Sequence, residues 1–295
     1  MKTAIIGAEG FLGQPLLQAY RKSYPDCIGT TRHQGSKDLS FYDLSSPSII
    51  QLQLKKTGHE AAIIVAALTK IENCEYDKNQ AKKINVDGTF SLIQQLWDAD
   101  ILPIFFSSDH VFGKKSKQVF TEEDELSPVT EYGKSKANIE TALKNSGRPH
   151  LIIRLGKVLG VEKGDGTLLD EIACLLVEGK PVHAAYDQIL NPISLNEVVD
   201  TTREIQKAGI HGLVNMCSSE SWTRYDLALA MAESLKCDKR LVRKISLDDL
   251  SYGFQLPKNV TLSNRRLRNL IRFNPSPVDD YIRKISMNWK VENPL

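Results

Sequence analysis

The chain has 295 residues, 41% of them hydrophobic and 25% charged, so it can bury a full core and shows no compositional bias toward disorder. Its 38 basic and 36 acidic residues leave a formal charge of +2, and no long basic run offers a footprint for nucleic acid or anionic lipid. The five cysteines are scattered with no C-x-x-C pair, the N-terminal apolar run is too short for a signal peptide, and no stretch approaches the 18 or so apolar residues of a membrane span; a cytoplasmic protein with no metal site and small, nearly neutral partners is expected.

Along the chain, short apolar runs alternate with amphipathic stretches of helix length. Thr3 to Ile6, Ile63 to Ala67, Leu102 to Phe106 and His150 to Arg154 read as strands buried on both faces. Phe11 to Lys22, Pro47 to Lys56, Gln80 to Ala99 and Glu131 to Asn145 read as helices between them. This alternation predicts an α/β fold, a doubly wound parallel sheet of Rossmann type with its ligand crevice at the carboxyl ends of the strands. After Gly156 the rhythm changes to a turn-rich Gly160 to Gly166, a helix near Leu168 to Glu178 and a proline-containing segment Asp187 to Ile193, read as a cap over the crevice. Leu195 to Lys207 and Leu213 to Met216 rejoin the main sheet, Thr223 to Leu235 is helical, and the rest is mixed. Two interleaved lobes follow: residues 1–156 with 194–218 as a dinucleotide-binding domain, and 157–193 with 219–295 as a smaller mixed α/β substrate lobe. The acidic cluster Glu122 to Glu125 reads as a solvated loop rather than a metal site.

Gly7-Ala8-Glu9-Gly10-Phe11-Leu12-Gly13 follows a strand and opens a helix, the context of a phosphate-binding turn. Glycine lets the backbone approach a pyrophosphate, and the helix N-terminus supplies N–H donors and positive dipole. The spacing is G-x-x-G-x-x-G, so it meets the dinucleotide fingerprint G-x-G-x-x-G only approximately, and a tight turn without ligand is the plain alternative. After the second strand Gly29-Thr30-Thr31-Arg32-His33 has no carboxylate for the ribose hydroxyls of NAD. Arg32 suits the 2′-phosphate of NADP, which makes NADP the expected cofactor and NAD the alternative; an ordinary surface arginine is the bland reading. Asp43-Leu44 suits the adenine edge or, equally, a helix cap.

Ser108, Tyr132 and Lys136 form the most informative group. Tyr132 and Lys136 stand four apart on one helix face, and Ser108 ends the strand Leu102 to Phe106 at the ligand-binding edge of the sheet. Y-x-x-x-K alone is common on helices; the glycine turn and the strand-end serine give it weight. An ammonium and a cationic cofactor would lower the cost of a phenolate, so Tyr132 can exchange a proton with a carbinol or carbonyl oxygen that Ser108 fixes. Asn85, in an otherwise amphipathic helix, would hold a water or the lysine, or satisfy backbone groups.

These motifs resemble the extended short-chain dehydrogenases/reductases, and within them the dTDP-4-dehydrorhamnose reductase group. The glycine turn, Ala66-Ala67-Leu68-Thr69, Asn85-Val86-Asp87-Gly88-Thr89, Ser107-Ser108-Asp109-His110-Val111-Phe112, Tyr132-Gly133-Lys134-Ser135-Lys136 and Asp187-Gln188 with Asn191-Pro192 occur in the family's order. The resemblance implies Ser108, Tyr132, Lys136 and Asn85 as catalytic residues. It implies Gly7, Gly10, Phe11, Leu12, Arg32, Asp43, Leu44, Ala66, Ala67 and Leu68, with Tyr132 and Lys136, as the cofactor site. It also implies a nucleotide-sugar substrate. The departures bear on that substrate: His110 stands where tyrosine is usual, Lys157 where a tryptophan is usual, and Leu190 and Ile193 where glycine and threonine are usual. Asp109, His110 and Lys157 are therefore the substrate-side candidates.

Other templates fail. His59-Glu60 lacks a second histidine at zincin spacing, no G-x-S-x-G occurs, and Gly133-Lys134-Ser135 has Pro128 where a P-loop needs glycine. The resembling sugar-nucleotide dehydratases carry Asp-Glu where this chain has Asp109-His110, and the epimerases carry the acidic residue missing after the second strand. A reductase of 4-keto-6-deoxy nucleotide sugars leads, monomeric or homodimeric. The alternatives are a nucleotide-sugar epimerase and a non-catalytic cofactor-binding subunit such as the regulatory subunit of methionine adenosyltransferase.

Overall fold

A computed structural model describes residues 1–114, 118–250 and 252–289, and the chain divides into two compact units. The first comprises Met1–Val111, Glu125–Arg154 and Val199–Val214. Its strands Thr3–Ile6, Ala61–Ile64, Leu102–Ser108, Leu151–Leu155 and Gly212–Met216 form a central sheet in that spatial order. Thr3 pairs in parallel with Ala61, and Ala61 with Leu102. Beyond Thr3–Ile6 the sheet continues through a parallel bridge from Ile5 to Gly29 into the parallel pair Thr30–Thr31 and Ser40–Phe41. Chain order therefore reverses direction at Thr3–Ile6, which makes the carboxyl end of that strand the switch point of a doubly wound sheet.

The strands are uninterrupted apolar runs because helices cover both faces. Leu92, Ile93, Leu96 and Trp97 of the helix Thr89–Asp98 pack with Ala4, Ile6, Ala62 and Ile64 of the sheet. The stretch expected as one helix from Gln80 to Ala99 is an α-helical turn at Lys78–Lys82, a π-helical segment at Lys83–Gly88 and the α-helix Thr89–Asp98. Pro47 to Lys56, expected to be helical, holds only a 3₁₀ turn at Ile50–Leu52. Gln95 takes over its backbone groups, accepting from Ile49 N at 3.0 Å and donating to Pro47 O at 3.0 Å, while Gln53 turns left-handed at φ 46°. The strand expected at Ile63 to Ala67 stops at Ile64 because the Val65 and Ala66 amides both turn onto Ile6 O.

The second unit comprises Phe112–Asp124, Leu155–Val198 and Asn215–Leu295. Its short strand pairs are Lys157–Leu159 with Pro192–Ser194, Val182–Ala185 with Val242–Ile245, and Ile189–Leu190 with Trp222–Thr223. The helices Leu168–Val177, Arg224–Leu235 and Val278–Trp289 enclose its core, to which Leu190 contributes. Residues 112–124, placed by sequence with the first lobe, group with this unit. Phe112 stacks on Phe120 at 4.2 Å, and Phe120 bonds to Thr261 and Ser263 through its backbone. The acidic cluster there is not uniformly solvated: Glu122 is buried and accepts the Asn215 amide at 2.9 Å, while Glu123 is exposed.

Candidate active site

The glycine turn lies at the switch point of the first unit. Gly7 has φ +96°, and a Cβ there would stand 2.7 Å from Ala66 N. Its amide donates to Thr30 Oγ1 at 3.0 Å, which ties the turn to the second strand. A Cβ at Gly13 would lie 2.1 Å from Gly7 O, so the helix Gly13–Arg21 can start this close to the strand only on glycine. A Cβ at Gly10 would meet only Gly7 O, at 3.5 Å. No side chain caps that helix at Leu12, but Gln14 N already donates to Gly10 O at 3.0 Å and Pro15 has no N–H, so this turn offers an anion fewer amides than a full helix N-terminus. Phe11 and Arg32 are exposed, and Ala66, Ala67 and Leu68 are half-buried beside the turn. Asp43 is exposed and caps its own loop, accepting Ser45 N at 2.8 Å and Ser45 Oγ at 2.9 Å; these bonds hold its carboxyl below the usual range. Leu44 is buried, with its carbonyl against Gly88.

At the end of the strand Leu102–Ser108 the chain bends into a 3₁₀ turn, Asp109–Val111. The helix Glu131–Asn145 starts beside it, capped by Thr130, whose hydroxyl accepts Gly133 N at 3.0 Å. A Cβ on Gly133 would lie 2.1 Å from His110 O, so glycine is what brings the first helical turn onto the 109–111 turn. Tyr132 is thereby placed against Ser108, with its ring edge-on to His110 at 6.1 Å. Ser108 Oγ donates to Asp109 Oδ1 at 2.8 Å and accepts His110 N at 3.2 Å.

Lys136, one turn after Tyr132, is 5% exposed; its ammonium donates to Phe106 O at 2.7 Å and lies 5.7 Å from the Tyr132 ring centre. Burial pulls that ammonium down to about 8, with the nearby charge of Glu140 acting in the opposite direction. The Tyr132 phenol behaves against expectation: burial and the Asp109 carboxylate push it well above the usual range, and only the Ser108 hydrogen bond opposes them. The neutral phenol is therefore the resting form, which suits a proton donor. Asn85, on the π-helical segment, accepts Leu68 N at 2.7 Å and donates to Leu68 O at 2.9 Å, so it clamps the Ala66-Ala67-Leu68 loop. Lys157 belongs to the second unit, half-buried, its amide bonded to Asn191 O at 2.9 Å. In that unit Leu190 and Ile193 are buried, which accounts for large apolar residues at these positions.

Ser107, Glu140 and Arg154 complete the surroundings and escape a motif search. Their signal lies elsewhere, in an arginine inside the otherwise apolar strand Leu151–Leu155 and a glutamate four residues after Lys136. Among the described residues no group of three His, Cys, Asp or Glu side chains gathers as a metal site, and no helix is long and apolar enough to cross a membrane.

A parallel doubly wound sheet with a glycine turn at its switch point, and with serine, tyrosine and lysine at the end of a neighbouring strand, is the architecture of an extended short-chain dehydrogenase/reductase. The chain belongs to the RmlD substrate binding domain family, whose model matches residues 1–289. It is 26% identical to the probable low-salt glycan biosynthesis reductase Agl14 of Haloferax volcanii over 89% of each chain. It is 24% identical to methionine adenosyltransferase 2 subunit beta of Rattus norvegicus, over 91% of this chain and 82% of that one. Among solved structures, the dTDP-4-dehydrorhamnose reductase of Bacillus anthracis in complex with NADP superposes with a TM-score of 0.85 at 19% identity, covering 97% of this chain and 99% of that one.

Proposed function

We propose that the protein reduces the C4 carbonyl of a nucleotide-linked 4-keto-6-deoxy sugar with NADPH. The carrying observation is the convergence of Ser108, Tyr132 and Lys136 in a unit whose glycine turn suits a dinucleotide: Gly7 and Gly13 hold the turn tight and Gly10 leaves its face open. Bound there, the nicotinamide supplies the hydride. Tyr132, held as a neutral phenol, donates its proton to the oxygen that becomes the alcohol, and Ser108 Oγ, turning its proton away from Asp109 Oδ1, donates a hydrogen bond to that oxygen. Lys136 presents a buried ammonium behind the phenol, where it favours the phenolate left after proton transfer and orients the cofactor ribose. Asn85 fixes the loop that borders the cofactor, and Arg32 reads the 2′-phosphate. Asp109-His110, in place of an Asp-Glu pair, favours reduction over dehydration. Residues 1–156, apart from 112–124, with 194–218 serve the cofactor, and 157–193 with 219–295 the sugar nucleotide, whose diphosphate Lys157 would pair with.

The test is NADPH oxidation across a panel of 4-keto-6-deoxy nucleotide sugars. Tyr132→Phe should lower kcat on the best substrate by about 10²-fold or more with cofactor affinity nearly unchanged. Undiminished turnover in that variant overturns the assignment. The relation to methionine adenosyltransferase 2 subunit beta supports a second reading, a cofactor-binding subunit without turnover, and NADPH binding with no oxidation by any sugar of the panel would select it.

A further inference from the structure

Behind the catalytic residues lies a charge pair that no step above uses. Glu140 and Arg154 are both 0% exposed. Arg154 Nε donates to Glu140 Oε1 at 2.9 Å and Oε2 at 3.1 Å, and an Nη donates to Oε2 at 2.6 Å. Ser107 Oγ donates to Glu140 Oε1 at 2.6 Å. The carboxylate is thus clamped from two strands, Leu102–Ser108 and Leu151–Leu155, while its own helix carries Lys136 exactly one turn earlier on the same face. A purely structural use of these positions would be served as well by apolar side chains of similar volume, since a buried ion pair rarely adds net stability.

We propose that Glu140, anchored by Arg154 and Ser107, is a positioning residue that keeps the Lys136 side chain charged and fixes the strand end bearing Ser108. The idea rests on the reductase reading for its consequence in turnover, and on the shared helix face of Glu140 and Lys136 for its effect on the ammonium. Four of the neighbours of Lys136 supply the remaining environment: the Tyr132 phenol on its own helix, the Phe105 ring at 4.6 Å, the Phe106 carbonyl, and the Cys74 thiol, whose charge burial disfavours. Other charged groups on the packed elements have partners of their own. Glu75 accepts Glu131 N, Lys78 and Lys134 face Glu131, Lys82 faces Asp87, and Asp109 accepts from Ser108. Glu72 lies on the same helix as Cys74 and acts on its thiol. Glu140, one helical turn from Lys136 on the same face and itself paired with Arg154, is the negative charge that opposes the effect of burial on the ammonium.

The experiment follows the Lys136 side chain directly, in the full-length protein with ¹³C-labelled lysine, its ε-carbon resonance assigned by its loss in Lys136→Met. The midpoint should lie near 8 in the parent and fall by roughly one unit or more in Glu140→Gln, which keeps acceptor and shape but removes the charge. On the best sugar substrate the alkaline limb of kcat against pH should move down in parallel, with KM for NADPH less affected. An unmoved midpoint overturns the proposal whatever happens to activity. A shifted midpoint in a protein that reduces no sugar supports the charge effect and counts against the reductase reading alone. If Glu140→Gln does not fold, the double variant Glu140→Gln/Arg154→Met removes both charges; a lowered midpoint there supports the proposal and a parental one overturns it.

Discussion

Ser107 and Ser108 are adjacent hydroxyls on one strand, yet alternation along the strand sends them to different tasks. Ser107 faces Glu140 in the interior, and Ser108 faces Tyr132 and Asp109. Arg32 is the residue on which the proposed preference for NADPH turns. A charge-assisted contact to phosphate contributes about 1.5 to 3 kcal/mol, so Arg32→Ala should raise the Kd for NADPH roughly tenfold or more while leaving NADH nearly unchanged. Equal losses for both cofactors in a fluorescence titration would remove Arg32 from the phosphate site. His59 sets a pH dependence away from the chemistry. It is buried, accepts Ile28 N on Nε2 at 3.2 Å and shares a hydrogen bond with Thr57 through Nδ1. Burial, reinforced by Lys2, holds its pKa below the usual value. The unfolded chain therefore takes up the proton first as pH falls through about 6.5, and the stability from neutral His59 is lost below that point until the folded form is protonated as well. The urea midpoint should drop between pH 7.5 and pH 5.5, and His59→Gln should flatten that dependence.

The element that opens the site is the glycine turn, whose three glycines have separable roles. Gly13→Ala would drive a methyl against Gly7 O, 2.1 Å away, and should destabilise the fold by about 1–3 kcal/mol or more, seen as a lower Tm without cofactor. Gly10→Ala meets nothing closer than 3.5 Å, so the fold should tolerate it. The added methyl would stand on the face a pyrophosphate approaches, and Kd for NADPH should rise roughly tenfold at nearly unchanged Tm. A Gly10→Ala variant that binds NADPH normally would place the phosphates elsewhere. The π-helical segment Lys83–Gly88 belongs to the same scale. It contains Asn85, which clamps Leu68, and ends at Gly88, where a Cβ would come 1.9 Å from Leu44 O, so the irregular helix sits where the two loops proposed to border the cofactor are held.

For the molecule as a whole, a ligand that binds only the folded chain must stabilise it by mass action. NADPH at 100 times its Kd should add about 2.7 kcal/mol, which for a protein of this size is a rise in Tm of roughly 5 °C or more. NADH at the same concentration should give a smaller rise if the 2′-phosphate is read. Absence of a shift with either cofactor would contradict a nicotinamide site.

By itself the sequence determined the class of fold and the order of its parts, because both follow from local rules. Apolar runs too short for helices and alternating with amphipathic stretches can be buried only as a covered parallel sheet, and the helices Glu131–Asn145 and Leu195–Lys207 show their period within their own residues. The Y-x-x-x-K spacing was legible for the same reason, since four residues make one helical turn. The tertiary structure decided what depends on neighbours distant in the chain. Gln95 reaches 46 residues back to Ile49 and prevents a helix at Pro47 to Lys56. Contacts of Phe120 with Thr261 and Ser263 carry 112–124 into the second unit. The Tyr132 phenol rises rather than falls because burial and Asp109 outweigh the Ser108 hydrogen bond. Glu140 and Arg154 meet only once helix and strand are packed, since a local pattern records which side chains share a face but not which charge will stand behind it.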